Sequence, residues 1–209
     1  LRLCPGCHAS IAPPLPPLCR RCGLPLRSGS LCSECTHHPP AFATARSIGL
    51  YLPSAAGLNP LAAAVQELKY RRQRAVAATF GSLLAAHYPF AGDAVLVPVP
   101  LHRSRLRARG FNQALLLARA LGRGRGLHVL SRALTRVRAT NAQAGLGAAE
   151  RRRNLQGAFV VRRPDSVRDR AVVLVDDVLT TGATADSCAR ALRAAGAARV
   201  DVFTVGRAP

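Results

Sequence analysis

The chain has 209 residues, 49% of them hydrophobic and 19% charged, with 30 Lys plus Arg against 10 Asp plus Glu for a formal charge of +20. That length suits one medium domain or a core domain with a small appendage, and the apolar share excludes a disordered chain. No apolar run approaches a bilayer span and no basic-then-apolar signal segment is visible, so a soluble, cytoplasmic protein without a membrane span is expected. Aromatic residues make up only 4% and Trp is absent, which leaves no visible platform for stacking single-stranded bases. The charge still attracts polyanions: nucleic acid, phosphorylated metabolites or anionic surfaces. Nearly all of it is arginine, with Lys69 the single lysine, a usage that coding bias in a GC-rich genome also produces.

In chain order, cysteine comes first. Six of the seven cysteines fall in the first 35 residues as three C-x-x-C pairs, Cys4/Cys7, Cys19/Cys22 and Cys32/Cys35. A C-x-x-C turn aims two thiolates at one point, and two such turns complete a tetrahedral zinc site. Gly23 permits the tight turn after the second pair. A disulfide framework is the competing reading, but nothing marks the chain as secreted. Chain order makes Cys4, Cys7, Cys19 and Cys22 the first choice of ligands; Cys19, Cys22, Cys32 and Cys35 are the alternative. Cys188 stands alone, and its i+4 spacing to Leu192 makes it a buried small hydrophobe.

The non-helical stretches Ala12–Pro17 and His37–Phe42 bracket this region, so an appendage over 1–40 and a main domain over 41–209 are expected. Ile48–Leu52 reads as a short strand. Leu61, Val65, Leu68, Val76, Phe80 and Leu83 form a helical apolar stripe from Pro60 to about Tyr88. The opposite face carries Lys69, Arg71, Arg72 and Arg74, by default a solvated face. Ala94–Val99 is a strand, Phe111–Leu121 a helix, and Val129–Leu130 and Ala158–Val161 are weaker strands. Ala171–Val175 is the strongest strand, followed by a helix over Thr184–Ala195 and a strand over Val200–Val205. Strands alternating with helices predict an α/β fold with a parallel sheet, whose ligands sit at the C-terminal ends of the strands.

One such end carries Asp176 and Asp177, two of the ten acids. Like charges about 5 Å apart repel by roughly 3 kcal/mol at an effective dielectric of about 20, so something should compensate. The loop that follows, Thr180, Thr181, Gly182, Ala183 and Thr184, is small and hydroxyl-rich and leads into a helix. Exposed amides and the helix N-terminus suit a phosphate there. Carboxylates beside a phosphate need a neutral or cationic partner, and ribose hydroxyls or Mg²⁺ are the natural ones. A sugar phosphate satisfies both halves. The plainer alternative is that Asp177 caps a turn and the threonines cap the helix.

The thirteen residues "VVLVDDVLTTGAT" (Val172–Thr184) resemble the phosphoribosyl-pyrophosphate (PRPP) signature of the type I phosphoribosyltransferases. Further segments, "VPVPLHRSRLRARGFNQA" (Val97–Ala114), "RVRATNAQ" (Arg136–Gln143), "ERRRNLQGAF" (Glu150–Phe159), "ELKYRRQ" (Glu67–Gln73) and the C-x-x-C pairs, narrow the likeness to the ComF family of competence-associated proteins. Some relatives carry four C-x-x-C pairs, where this chain has three.

The resemblance implies a type I phosphoribosyltransferase fold with a zinc-ribbon-like appendage. It gives Asp176 and Asp177 the ribose hydroxyls and the catalytic support of charge developing on the sugar. Thr180–Thr184 then bind the 5′-phosphate, and Pro100, Leu101, His102 and Arg103 form the pyrophosphate loop. Arg138, Thr140, Gln143 and Arg153 are candidates for a flap that closes over the site. Structural zinc, and Mg²⁺ arriving with PRPP, are the implied metals. Two functions stay open. One is phosphoribosyl transfer to an unidentified acceptor in a cell taking up DNA. The other is a non-catalytic competence factor that senses PRPP or handles single-stranded DNA with other DNA-uptake proteins.

Overall fold

The computed structural model describes residues 4–9, 11–54, 57–70, 74–139 and 148–209. Along the first half lie α1 (Pro5–Ala9), α2 (Ser33–His37), β1 (Ala45–Leu50), β2 (Pro53–Ser54), β3 (Gly57–Leu58), α3 (Pro60–Tyr70), α4 (Arg74–Ala86) and β4 (Ala94–Pro98). Then come α5 (Arg103–Arg109), α6 (Gln113–Arg125), β5 (Leu134–Arg136), α7 (Ala148–Leu155), β6 (Phe159–Val161), a single 3-10 turn at Pro164–Ser166, β7 (Ala171–Leu179), α8 (Ala183–Ala194) and β8 (Arg199–Arg207).

The main sheet has the order β1-β8-β7-β4 and every pairing in it is parallel. A parallel bridge from Leu96 to Val129 extends it past β4. The continuous aliphatic run Val172–Val175 occupies the middle, as a strand covered on both faces should. Its side chains alternate between two cores. Val172 and Leu174 join Val95, Val97, Val202 and α8 on one face. Val173 and Val175 join Leu96, Phe203 and the apolar sides of α3, α4 and α6 on the other.

Several expectations shift at the level of elements. The apolar stripe from Pro60 to Tyr88 is carried by two helices, α3 and α4, with residues 71–73 outside the described set. Leu61 of α3 fits against two glycines paired in register, Gly49 of β1 and Gly206 of β8. A Cβ at Gly49 would stand 2.4 Å from Leu61 Cδ1, and one at Gly206 3.1 Å from Leu61 Cδ2. On α4, a Cβ at Gly81 would stand 2.1 Å from Ala120 Cβ, so α4 and α6 cross almost backbone to backbone. The stretch Ala158–Val161 contributes β6, but β6 pairs antiparallel with β5 in a separate two-stranded sheet. Short helices α5 and α7 were not foreseen; their arginine-rich sequences carry no apolar stripe.

The N-terminal region is fastened to the sheet rather than set apart from it. The Ala45 amide donates to the Arg21 carbonyl at 2.6 Å, and the four cysteines from Cys19 to Cys35 share one core with β4, β7 and α8.

Candidate functional site

β7 continues past Val175 to Leu179, paired with β8 as far as Arg207, so Asp176 and Asp177 lie within the strand rather than after it. Strand alternation sends their side chains to opposite faces. Asp177 is buried and meets the ammonium of Lys69 on α3 at 3.2 Å. Burial alone pulls that ammonium down, but the charges of Asp177 and Asp176 more than offset it and Lys69 lies above its ordinary pKa. The chain's single lysine is therefore a counter-ion at the end of the central strand, not part of a solvated face.

Asp176, half-buried, lines a small recess with Val178, Thr180, Thr184, Val202 and Thr204. Burial and the adjacent charge of Asp177 push its carboxyl up to about 8, against the pull of the Asp177 amide, Lys69 and Arg109. Its Oδ1 accepts from the Asp177 amide at 2.8 Å, and Asp177 Oδ1 accepts from the Val178 amide at 2.7 Å. Each carboxylate keeps one oxygen on its own backbone. Buried Arg136 of β5 has its guanidinium 5.5 Å from the Phe159 ring centroid. Burial, with the charge of Arg105, lowers its pKa, while Cys188 and Asp176 raise it.

The loop after β7 exposes Thr180 and Thr181 and turns at Gly182, whose φ of +78° makes glycine the fitting residue. The Ala183 amide donates to Thr181 Oγ1 at 3.4 Å. Among the described residues nothing accepts from the amides of Thr181 and Gly182. Free amides at the head of a 12-residue helix suit an anion. Across the C-terminal ends of the strands, Pro100, Leu101 and His102 lead from β4 to α5. His102 caps α5, its Nδ1 accepting from the Ser104 amide at 3.3 Å. Asn112 ties this loop to α6: Nδ2 donates to the Val99 carbonyl at 3.1 Å, and Oδ1 accepts from the Ala114 amide at 3.0 Å. Phe111 is buried. Arg103, Arg105 and Arg107 are exposed.

The second candidate centre is made of sulfur. Cys19, Cys22, Cys32 and Cys35 are all buried, and their sulfurs lie within 4.8 Å of one another. Four thiolates at about 2.3 Å from a tetrahedral metal stand about 3.8 Å apart. Cys22 and Cys32 sulfurs are 3.6 Å apart, so the set fits such an ion. Cys19 sulfur is opposed by burial, yet the Cys22, Cys32 and Arg21 amides bring its thiol down to about 6. Cys35 is driven the other way by burial and by the charge of Cys22, a repulsion that a cation among them would reverse. These four are the second of the two allocations. The turn at Cys19–Gly23 is closed by the Gly23 amide on the Cys19 carbonyl, and the Arg20 amide donates to the Ser30 carbonyl. With the Cys32 amide on Cys19 sulfur at 3.4 Å, those bonds fold the third pair onto the second. Cys4 and Cys7 stay outside the cluster, exposed and half-exposed.

Between this cluster and the Thr180–Gly182 loop lies a cavity of about 550 Å³, walled by His37, His38, Phe42, Arg190 and Arg207 among others.

The phosphoribosyl transferase domain family matches residues 108–209. The DNA utilization protein YhgH of Salmonella typhimurium is 38% identical over 198 residues, covering 91% of this chain and 84% of that protein. Competence protein F of Haemophilus influenzae is 33% identical over 218 residues, covering 99% and 90%. The chain belongs to the ComF family. Competence protein ComFC of Bacillus subtilis is a more distant member, 28% identical over 215 residues.

Within this ComF chain the structure brings together the acids, the Thr180–Thr184 loop and the β4–α5 loop at one edge of the sheet. Of the flap candidates, Thr140 and Gln143 lie outside the described residues. Arg138 donates to the carbonyls of Gln156 and Asn154, each at 3.1 Å, fastening the end of β5 to the end of α7. Arg153 is exposed. Cys188 is fully buried beside Leu192, as its spacing implied. Sequence reasoning missed Lys69, Arg136 and Arg207. Lys69 had one signal, being the lone lysine of an arginine-only chain; Arg207 had another, an arginine closing a buried strand.

Proposed function

We propose that this ComF protein binds PRPP at the C-terminal edge of its sheet and acts in the handling of DNA during its uptake. The observation that carries the reading is the acid pair at the end of β7, continuous with a loop whose amides head α8. Asp176 and Asp177 accept the ribose 2′ and 3′ hydroxyls, Thr180–Thr184 hold the 5′-phosphate, and Pro100–Arg103 face the pyrophosphate. The exposed arginines of α5 neutralise charge on that group as the bond at C1 of the ribose breaks. Mg²⁺ accompanying PRPP supplies further neutralisation of the pyrophosphate. The acids support positive charge developing on the sugar, and the acceptor attacks C1. Structural zinc occupies Cys19, Cys22, Cys32 and Cys35. Calorimetry tests the core of this: the Asp176→Asn, Asp177→Asn double variant should bind PRPP at least about 100-fold more weakly. Unchanged affinity sinks the assignment.

A second reading, a binder without turnover, is favoured by the +20 charge and by relatives named for competence and DNA utilization. It expects retarded single-stranded DNA in a mobility-shift assay. That binding should fall about tenfold or more between 50 and 200 mM salt, with no pyrophosphate released from PRPP. Pyrophosphate release on addition of an acceptor decides for the enzyme.

A further inference from the structure

Arg207 closes β8, and its side chain is buried between two regions far apart in sequence. On one side Nε donates to the Cys22 carbonyl at 3.0 Å, and Nη2 lies 3.6 Å from Cys22 sulfur. On the other side Nη1 donates to the carbonyls of Leu179 at 3.2 Å and Thr180 at 2.8 Å, and also to that of its neighbour Ala208. One planar cation thus grips both a member of the four-cysteine cluster and the two carbonyls that open the Thr180–Gly182 loop.

The consequence follows from peptide geometry. In a trans peptide the carbonyl of one residue and the amide N–H of the next point in opposite directions. Holding the Leu179 and Thr180 carbonyls on Arg207 turns the amides of Thr180 and Thr181 away from it, to the other side of the loop. Two more contacts tie the segment after the cysteines to this loop and to α8. The Ala41 amide donates to Asp186 Oδ1 at 2.7 Å, and the Phe42 ring lies 3.8 Å from where a Cβ of Gly182 would stand. The segment that follows the cysteines therefore braces the first turn of α8.

We propose that Arg207 is a positioning residue that links the cysteine cluster to the anion-binding loop, so that metal on the cysteines and phosphate on the loop strengthen each other's binding. A metal holds Cys22 as a thiolate in one place, and a thiolate beside the guanidinium fixes the cation that orients the loop carbonyls. Linkage requires the effect to run equally in both directions. The inference rests on the reading of Thr180–Thr184 as a phosphate cradle.

Cobalt(II) exchanged into the cysteine cluster of the full chain provides the readout, because its thiolate charge-transfer bands report on Cys22. Ribose 5-phosphate and PRPP should shift those bands, while free pyrophosphate, which engages the loop after β4, should leave them unchanged. Ribose 5-phosphate should also slow metal capture by a chelator about fivefold or more. Arg207→Met should still bind cobalt and lose both effects, and Arg207→Lys should recover part of them. If that variant does not fold, the wild-type spectra decide alone. Calorimetric binding of ribose 5-phosphate with unmoved bands overturns the coupling and leaves the PRPP reading standing. Failure of both ribose 5-phosphate and PRPP to bind overturns both.

Discussion

At the end of β7 the alternation of a strand separates two carboxylates that the sequence sets side by side. Asp177 goes toward α3 and is neutralised by Lys69, while Asp176 stays half-buried with its carboxyl near 8. The folded protein therefore holds a proton on Asp176 that the unfolded chain releases near the ordinary carboxylate value of about 4. The stabilisation from that proton is complete below about pH 4 and is lost as pH rises through about 8. Asp176→Asn removes the loss, so its unfolding free energy from urea titration should gain on wild type between pH 6 and pH 9, by roughly 1–3 kcal/mol. A gap independent of pH would refute the assignment. The doublet and the small, hydroxyl-rich loop after it stand out in the sequence because they are local: two acids, small residues and a helix start within one short stretch. Lys69 was not legible, since a basic helix face looks the same whether it meets water or the end of a strand. Arg207 was hidden for a similar reason, as its partners are carbonyls and a sulfur supplied by distant segments.

Elements were legible where burial imposes a period. The β7 run, α6 and α8 follow their apolar patterns, whereas α5 and α7 follow from caps and chain connection. Asn112 and Gly110 mark those boundaries better than hydrophobicity does: Asn112 caps α6 and Gly110, at φ +79°, ends α5. Short apolar runs carry no strand direction, which is why β6 was expected in the sheet and instead pairs antiparallel with β5. The crossing of α4 on α6 depends on the missing side chain at Gly81. Gly81→Ala should cost about 1–3 kcal/mol of unfolding free energy despite its better helix propensity. Ala120→Gly in the same chain should restore part of that loss, and a denaturant cycle over the four variants measures it. Additive costs would mean the helices do not touch there.

Over the whole molecule, two faces of one sheet divide the work. α3, α4 and α6 cover one face and bring Lys69; α8, the two-stranded β5–β6 sheet and the cysteine cluster cover the other. Because the cluster shares a core with β7 and α8, losing its metal should weaken the entire chain and not only an appendage. Elemental analysis should give one zinc per chain, kept by the Cys4→Ser, Cys7→Ser variant and absent from Cys35→Ser. The latter should also lower the thermal midpoint by roughly 10 °C or more in a single transition. Zinc lost from the Cys4, Cys7 variant would return the ligands to the first allocation. Among the described residues no helix is long and apolar enough to cross a membrane.

Leu61, seated against Gly49 and Gly206, has a consequence that reaches the acids. It lies two helical turns before Lys69 on α3, so the bare backbones of β1 and β8 fix how near the ammonium comes to Asp177. A methyl group added at position 49, where it would stand 2.4 Å from Leu61 Cδ1, should displace Leu61 and shift α3 and its cation with it. The charge environment of Asp177 is thus adjustable by a spacer in the apolar layer beneath, with every polar residue left untouched.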